Sequence, residues 1–127
     1  MVMIDSCVKS KWIGDDKMGD KANIRAQLGK LRKEMPGVMS SFGKFSAEVL
    51  KDSALTKKTK ELIAVALAVG LTCEYCIRFH VPKAVEAGAS RAEILEATGV
   101  SIMMAGGPAA AYAAVVLLEV IDELGVK

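Results

Sequence analysis

From Ile24 onward the apolar residues recur at steps of three and four, and no stretch alternates with period two over a useful length. That pattern restricts the chain to helices that bury one face against other helices. The composition agrees. The 127 residues include 18 Ala and only 3 Pro, and aromatic residues make up 5%. Ala is the strongest helix former, and few turn formers are available to build a sheet. The length suits one domain and not two. The expected fold class is therefore all-α.

The pattern divides into about six helices. Ile24, Leu28, Leu31 and Met35 mark the first, and Pro36 either stops it or opens the next at its first position. Val38, Phe42, Phe45 and Val49 mark a second amphipathic helix, and 52–55 is a short connection. Thr56 is the expected N-cap of a third helix from Lys57 to about Gly70, apolar all round over Leu62 to Val69. A tight Gly70-Leu71-Thr72 connection follows. Thr72 is read as the cap of a fourth helix beginning at Cys73 and stopped by Gly88. Ser90 with Glu93 forms a capping box for a fifth, 91–104. The sixth runs from about Pro108 to Leu124. Residues 1–20 show no sustained period and are expected to be a flexible N-terminal arm, with Trp12 and Ile13 able to dock on a neighbour. Residues 21–127 are expected to be a single helical domain. Met35, Met39, Met103 and Met104 sit at helical spacings and are expected in the core.

Charge and cysteine usage narrow the function classes. The net charge is only +2 and no basic stripe interleaves with aromatics, so nucleic acid is not an expected partner. Val100 to Leu118 runs for 19 residues without a charge, the length of a membrane span. Gly106-Gly107-Pro108 breaks it, so it reads as two buried helical pieces around a close turn, with no membrane partner. The high apolar content is instead expected to cover an oligomer interface. Asp5, Asp15 and Asp16 interrupt any signal-peptide core, and 3 Cys make no disulfide framework. A cytoplasmic, reducing compartment follows, where a close Cys pair points to metal or redox chemistry. Cys7 has no partner in sequence and is read as incidental.

Cys73-Glu74-Tyr75-Cys76 is a C-x-x-C at a helix start, with His80, the only His, four residues on. Cys73, Cys76 and His80 share one helical face. Free N–H groups and the positive end of the helix dipole stabilise a thiolate there. Two thiols at this spacing can close a disulfide: one attacks an oxidant or a disulfide, the other resolves the product. An imidazole one turn along can take the proton from Cys76. Glu61 lies on the apolar side of the third helix, where a carboxylate needs a partner. If the third and fourth helices form an antiparallel hairpin, Glu61 comes level with His80 to Lys83. Glu61, His80 and Cys76 can then meet. The competing reading pairs Glu61 with Lys57 or Lys58 at the surface.

Glu61-Leu62-Ile63-Ala64, Cys73-x-x-Cys76-x-x-x-His80 and Gly88-Ala89-Ser90 with Glu93-Ile94 together resemble the AhpD-like alkylhydroperoxidase branch of the carboxymuconolactone decarboxylase family. The resemblance covers about residues 35–105. It implies an AhpD-like helical fold around a central antiparallel hairpin, and thiol peroxidase or disulfide-reductase chemistry without a cofactor. Carried over, Cys76 is the peroxidatic residue, Cys73 the resolving one, and Glu61 and His80 the proton relay. The implied partners are a hydroperoxide substrate, a dithiol electron donor (a lipoyl group or a thioredoxin-like protein), and further copies of the chain, with a hexamer favoured.

Two departures stand out. Tyr75 occupies the place where well-known members carry a second His; it can support the site through a hydrogen bond but is a poor base near neutral pH. Pro82 lies inside the Cys helix and removes one of its hydrogen bonds. Two alternatives remain open at this point. One is decarboxylase chemistry of aromatic catabolism, known in the same family. The other is a non-catalytic domain whose Cys73, Cys76 and His80, with Glu61 or Cys7, hold a structural metal.

Overall fold

The structure, a computed structural model, describes residues 26–127, so the expected arm over 1–20 lies outside the described residues. Every regular element among the described residues is helical, in agreement with the all-α expectation. Residues 26–34 form a helical stretch, followed by α1 (Pro36–Leu50), α2 (Lys57–Gly70), α3 (Glu74–Glu86), α4 (Arg91–Ala105) and α5 (Gly107–Tyr112). A π-helical segment, Ala113–Leu117, joins α5 to α6 (Leu118–Glu123).

Two compact units divide the chain, Met1–Ser46 and Ala47–Lys127. In the first, Pro36 opens α1, where its missing N–H is not needed. Helical hydrogen bonding still crosses the junction, from Met35 N to Leu31 O and from Met39 N to Met35 O. No residue of α1 is buried, and Phe42 and Phe45 are 61% and 65% exposed.

The second unit contains the core. α2 packs most extensively on α3 and α4. Val65 and Val69 of α2, Ile77 and Val81 of α3, Ile94 of α4, and Leu117 and Ile121 near the C-terminus are fully buried. Each such side chain contributes roughly 1.5–3 kcal/mol by leaving water. α2 is nevertheless central on one side only, because Ile63 and Leu67 remain exposed. The methionine expectation is corrected: Met35, Met103 and Met104 are exposed and Met39 only half-buried.

Local signals account for most helix ends. Thr56 caps α2 by accepting from Thr59 N, and Ser90 with Glu93 closes the expected capping box on α4. Gly88, at φ +96°, follows α3 as its stop. Lys60 Nζ donates to the carbonyls of Val49 and Lys51, satisfying acceptors near the end of α1. Two readings change. α3 is capped by Cys73 and begins at Glu74, while Thr72 takes φ +53° and its hydroxyl donates to Leu71 O. Gly70 is needed for close packing, since a Cβ there would meet Ser101 Oγ at 2.9 Å. That hydroxyl donates to Ala66 O at 2.7 Å and draws α4 onto α2.

The last helix is not uniform. Ala109, Ala113, Leu117 and Ile121 are all buried, at successive steps of four. In an unbroken α-helix three such steps drift by about 120° around the axis. The extra residue of the π turn absorbs that drift and keeps one face on the core.

Candidate functional site

The chemistry-bearing residues Glu61, Cys73, Tyr75, Cys76 and His80 lie in the second unit, on α2, α3 and the turn between them, and Cys7 lies outside the described residues. Cys73 N donates to Ala68 O at the turn, and Glu61 meets His80 seven residues further out on each arm of the helical hairpin. That register is the expected antiparallel one. Thr72, in the turn, is a β-branched residue in the left-handed region, which costs on the order of 1–3 kcal/mol.

Cys73 Sγ accepts from Cys76 N at 3.2 Å and so occupies the capping position at the positive end of α3. Cys73 and Cys76 are joined by a disulfide, with Cα atoms 5.2 Å apart. Both residues are half-buried. Their sulfurs are therefore within bonding reach without movement of the backbone.

Glu61 is fully buried, and its Oε2 lies 2.8 Å from His80 Nδ1. The surface reading of Glu61 is corrected: Lys58 instead pairs with Glu93 at 2.8 Å. The His80 side chain is 25% exposed, so the pair runs from the interior to the edge of the hairpin. Glu61 Oε1 is buried with no hydrogen-bond partner among the described residues. An acceptor left in that condition costs about 1–3 kcal/mol, or more for a charged group. Phe79 places its ring edge-on to His80, 5.1 Å between centroids, and Lys83 Nζ sits 4.0 Å from the Phe79 centroid. His80 follows Cys76 by one helical turn, a separation of about 5–6 Å between Cβ atoms. Tyr75 is exposed on α3, and its hydroxyl makes no hydrogen bond among the described residues. Pro82 lies within α3, which continues through it.

One group was not found from sequence. Arg78 is 10% exposed, and its Nε donates to Glu74 at 3.0 Å and its Nη2 to Glu119 at 2.7 Å. Burial alone would lower its pKa, but the hydrogen-bonded carboxylates of Glu119 and Glu74 outweigh it and hold the guanidinium above its usual value. The Glu74–Arg78 spacing of four was the available signal. Nothing local marks Glu119, 41 residues away. A surface depression of about 500 Å³ lined by Asp52, Thr56, Lys57, Lys58, Ala87 and Gly88 contains none of the site residues.

Known proteins show the family of the chain. The chain is 40% identical over 90 residues to an uncharacterized protein of Cupriavidus necator, covering 71% of this chain and 80% of that one. It is 39% identical over 99 residues to uncharacterized protein 4 in the cox locus of Paracoccus denitrificans, covering 76% and 89%. The crystal structure of an apo carboxymuconolactone decarboxylase family protein from Legionella pneumophila superposes with a TM-score of 0.78 at 45% identity, over 87% of this chain and 97% of that one. The family model for carboxymuconolactone decarboxylase matches residues 36–119, a span that includes Glu61, the cysteine pair and His80. The chain belongs to the carboxymuconolactone decarboxylase family, of which the AhpD-like proteins are part.

Proposed function

We propose that this protein is a thiol-dependent alkylhydroperoxidase of the AhpD-like kind. The observation that carries this reading is the 2.8 Å contact between buried Glu61 and His80, on the hairpin whose turn bears the Cys73–Cys76 pair. Ionised Glu61 accepts from His80 Nδ1–H, which leaves Nε2 with its lone pair as a base. His80 takes the proton of the Cys76 thiol, and the thiolate attacks the peroxide. The O–O bond breaks, Cys76 becomes a sulfenic acid, and the alkoxide leaves as the alcohol after taking a proton. The Cys73 thiol then displaces water from the sulfenic acid and forms the disulfide. An external dithiol, a lipoyl group or a thioredoxin-like protein, returns both thiols and is itself oxidised. No cofactor enters this cycle, and a reducing cytoplasm supplies the donor.

The exposed apolar residues of α2 and α4, Leu67 and Met104 among them, support assembly with further copies of the chain, a hexamer being the favoured state. The metal reading draws on the same sulfurs, which here are bonded to each other. Decarboxylation gives the thiol pair no task. No helix among the described residues is long and apolar enough to cross a membrane.

The test is intact mass of the reduced protein before and after one equivalent of an organic hydroperoxide. Loss of two hydrogens per chain, mapped to Cys73–Cys76, is expected. Cys76→Ser is expected to abolish peroxide turnover. Unchanged turnover in that variant would sink the mechanism.

A further inference from the structure

We propose that Arg78, held by Glu119, is a positioning residue for the cysteine pair. It fixes the first turn of α3 against α6 and so sets how readily the thiols ionise. The inference rests on the thiol reading above.

Arg78 lies two residues after Cys76 and two before His80. A step of two turns a helical side chain by about 200°. The guanidinium therefore leaves the face that carries Cys76 and His80 and works from the other side of α3. There its Nε holds Glu74, the first residue of α3, at 3.0 Å, and its Nη2 holds Glu119 of α6 at 2.7 Å. Glu123 stands a further turn along α6, 3.8 Å from Nη1. One planar group thus ties the start of α3 to α6, and such a fork fixes orientation as well as distance.

That first turn is where the thiol chemistry needs rigidity. Cys76 N–H points at Cys73 Sγ, 3.2 Å away, and the helix end places its positive pole there. Both favour negative charge on sulfur when the pair is reduced. A first turn that swings away from α6 loses that alignment. The π segment Ala113–Leu117 immediately precedes α6 and sets the phase in which Glu119 and Glu123 face Arg78.

Position and charge can be separated. Removing Arg78 and removing Glu119 alter the local charge in opposite senses, but both release the first turn. The experiment is a pH titration of the thiolate ultraviolet absorbance of the reduced full chain, with the thiol–disulfide equilibrium measured against glutathione. Arg78→Met and Glu119→Ala are both expected to raise the midpoint of the more acidic thiol, by about half a pH unit or more. Both are expected to move the equilibrium about threefold or more toward the disulfide, because the reduced form loses thiolate stabilisation. The double variant should match the larger single effect rather than the sum, as for groups acting through one contact. Arg78→Lys keeps the charge without the fork and should fall between wild type and Arg78→Met.

Opposite movements in the two single variants would overturn positioning in favour of plain charge. Unmoved midpoints in variants with wild-type helical circular dichroism would also overturn it. If Arg78→Met does not fold, Glu119→Ala decides, since it leaves the Arg78–Glu74 bond in place. No peroxide enters these titrations. Failure of the peroxidase reading and failure of the positioning role are therefore separate results.

Discussion

α3 carries two charged clusters that solve burial in different ways. Around Arg78, a nearly buried cation meets Glu74 and Glu119 through hydrogen bonds and Glu123 at ion-pair distance. Around Glu61, a fully buried carboxylate meets His80 through one oxygen and leaves the other without a partner among the described residues. A cation hydrogen-bonded to carboxylates on two helices holds those elements together and has little reason to change state. A carboxylate with one partner and an open oxygen destabilises the fold relative to an apolar residue. Its place beside His80 is what the proposed proton relay draws on. The difference teaches that one helix can meet two demands: the far face anchors it to α6, and the face with the cysteines is the one on which the proposed thiol chemistry rests.

Glu61→Gln is the sharpest way to break the comparison. It keeps the shape and removes the charge. Peroxide turnover is expected to fall by about 10²–10⁴-fold, the usual contribution of a positioned acid–base group. Thermal unfolding should meanwhile show stability unchanged or raised, because a buried charge is gone. A large loss of stability would mean that Glu61 is a structural anchor like Arg78. Arg78→Ala should do the opposite. Its stability loss is about 1.5–3 kcal/mol, the usual worth of hydrogen bonds to charged groups, since the carboxylates left behind still reach water, read by urea denaturation. Gly70→Ala probes the packing that holds the hairpin to α4. The new Cβ would meet Ser101 Oγ at 2.9 Å, so a net loss of about 1–2 kcal/mol is expected after the gain in helix propensity. Gly70→Ala with Ser101→Ala should recover part of it, because the clash goes but so does the hydrogen bond to Ala66 O.

The smallest effect is expected at Glu93. Its carboxyl is held below the usual glutamate range, first by the Lys58 hydrogen bond and then by Ser90 N–H. A carboxyl pKa lowered by folding adds stability that is complete above the ordinary glutamate value. That stability is lost as pH falls through the lowered one. Glu93→Gln should therefore flatten the acid limb of a stability–pH profile and leave the neutral region nearly unchanged. An acid limb identical to wild type would assign that limb to other carboxylates.

Much of the site was legible before any coordinates. Thr56, Ser90–Glu93 and Gly88 mark helix ends because caps depend on neighbours within one turn. The helical steps of Cys73, Cys76 and His80, and the short turn before them, were enough to bring Glu61 level with His80. The errors have a common origin. The Gly70-Leu71-Thr72 connection reads in sequence only as a tight turn, whereas the left-handed conformation falls on Thr72 and Gly70 serves an inter-helix approach. Thr72 looked like the cap because hydroxyls usually are, while Cys73 Sγ fills that role. The methionines matched a helical period, yet a period says only that residues share a face, not that the chain covers it.

The sequence by itself determined the helical class, most helix boundaries, and the hairpin that unites Glu61 with His80. All of these follow from hydrogen bonds and periodicities spanning a few residues, or from a turn too short to allow another path. Only the tertiary structure decided that Arg78 meets Glu119, that α4 approaches α2 through Ser101 and Gly70, and that the last helix takes an extra residue at Ala113–Leu117. Those contacts depend on how helices distant in sequence are rotated and spaced against one another. No local propensity encodes that rotation, because it is set by filling the shared core at close packing.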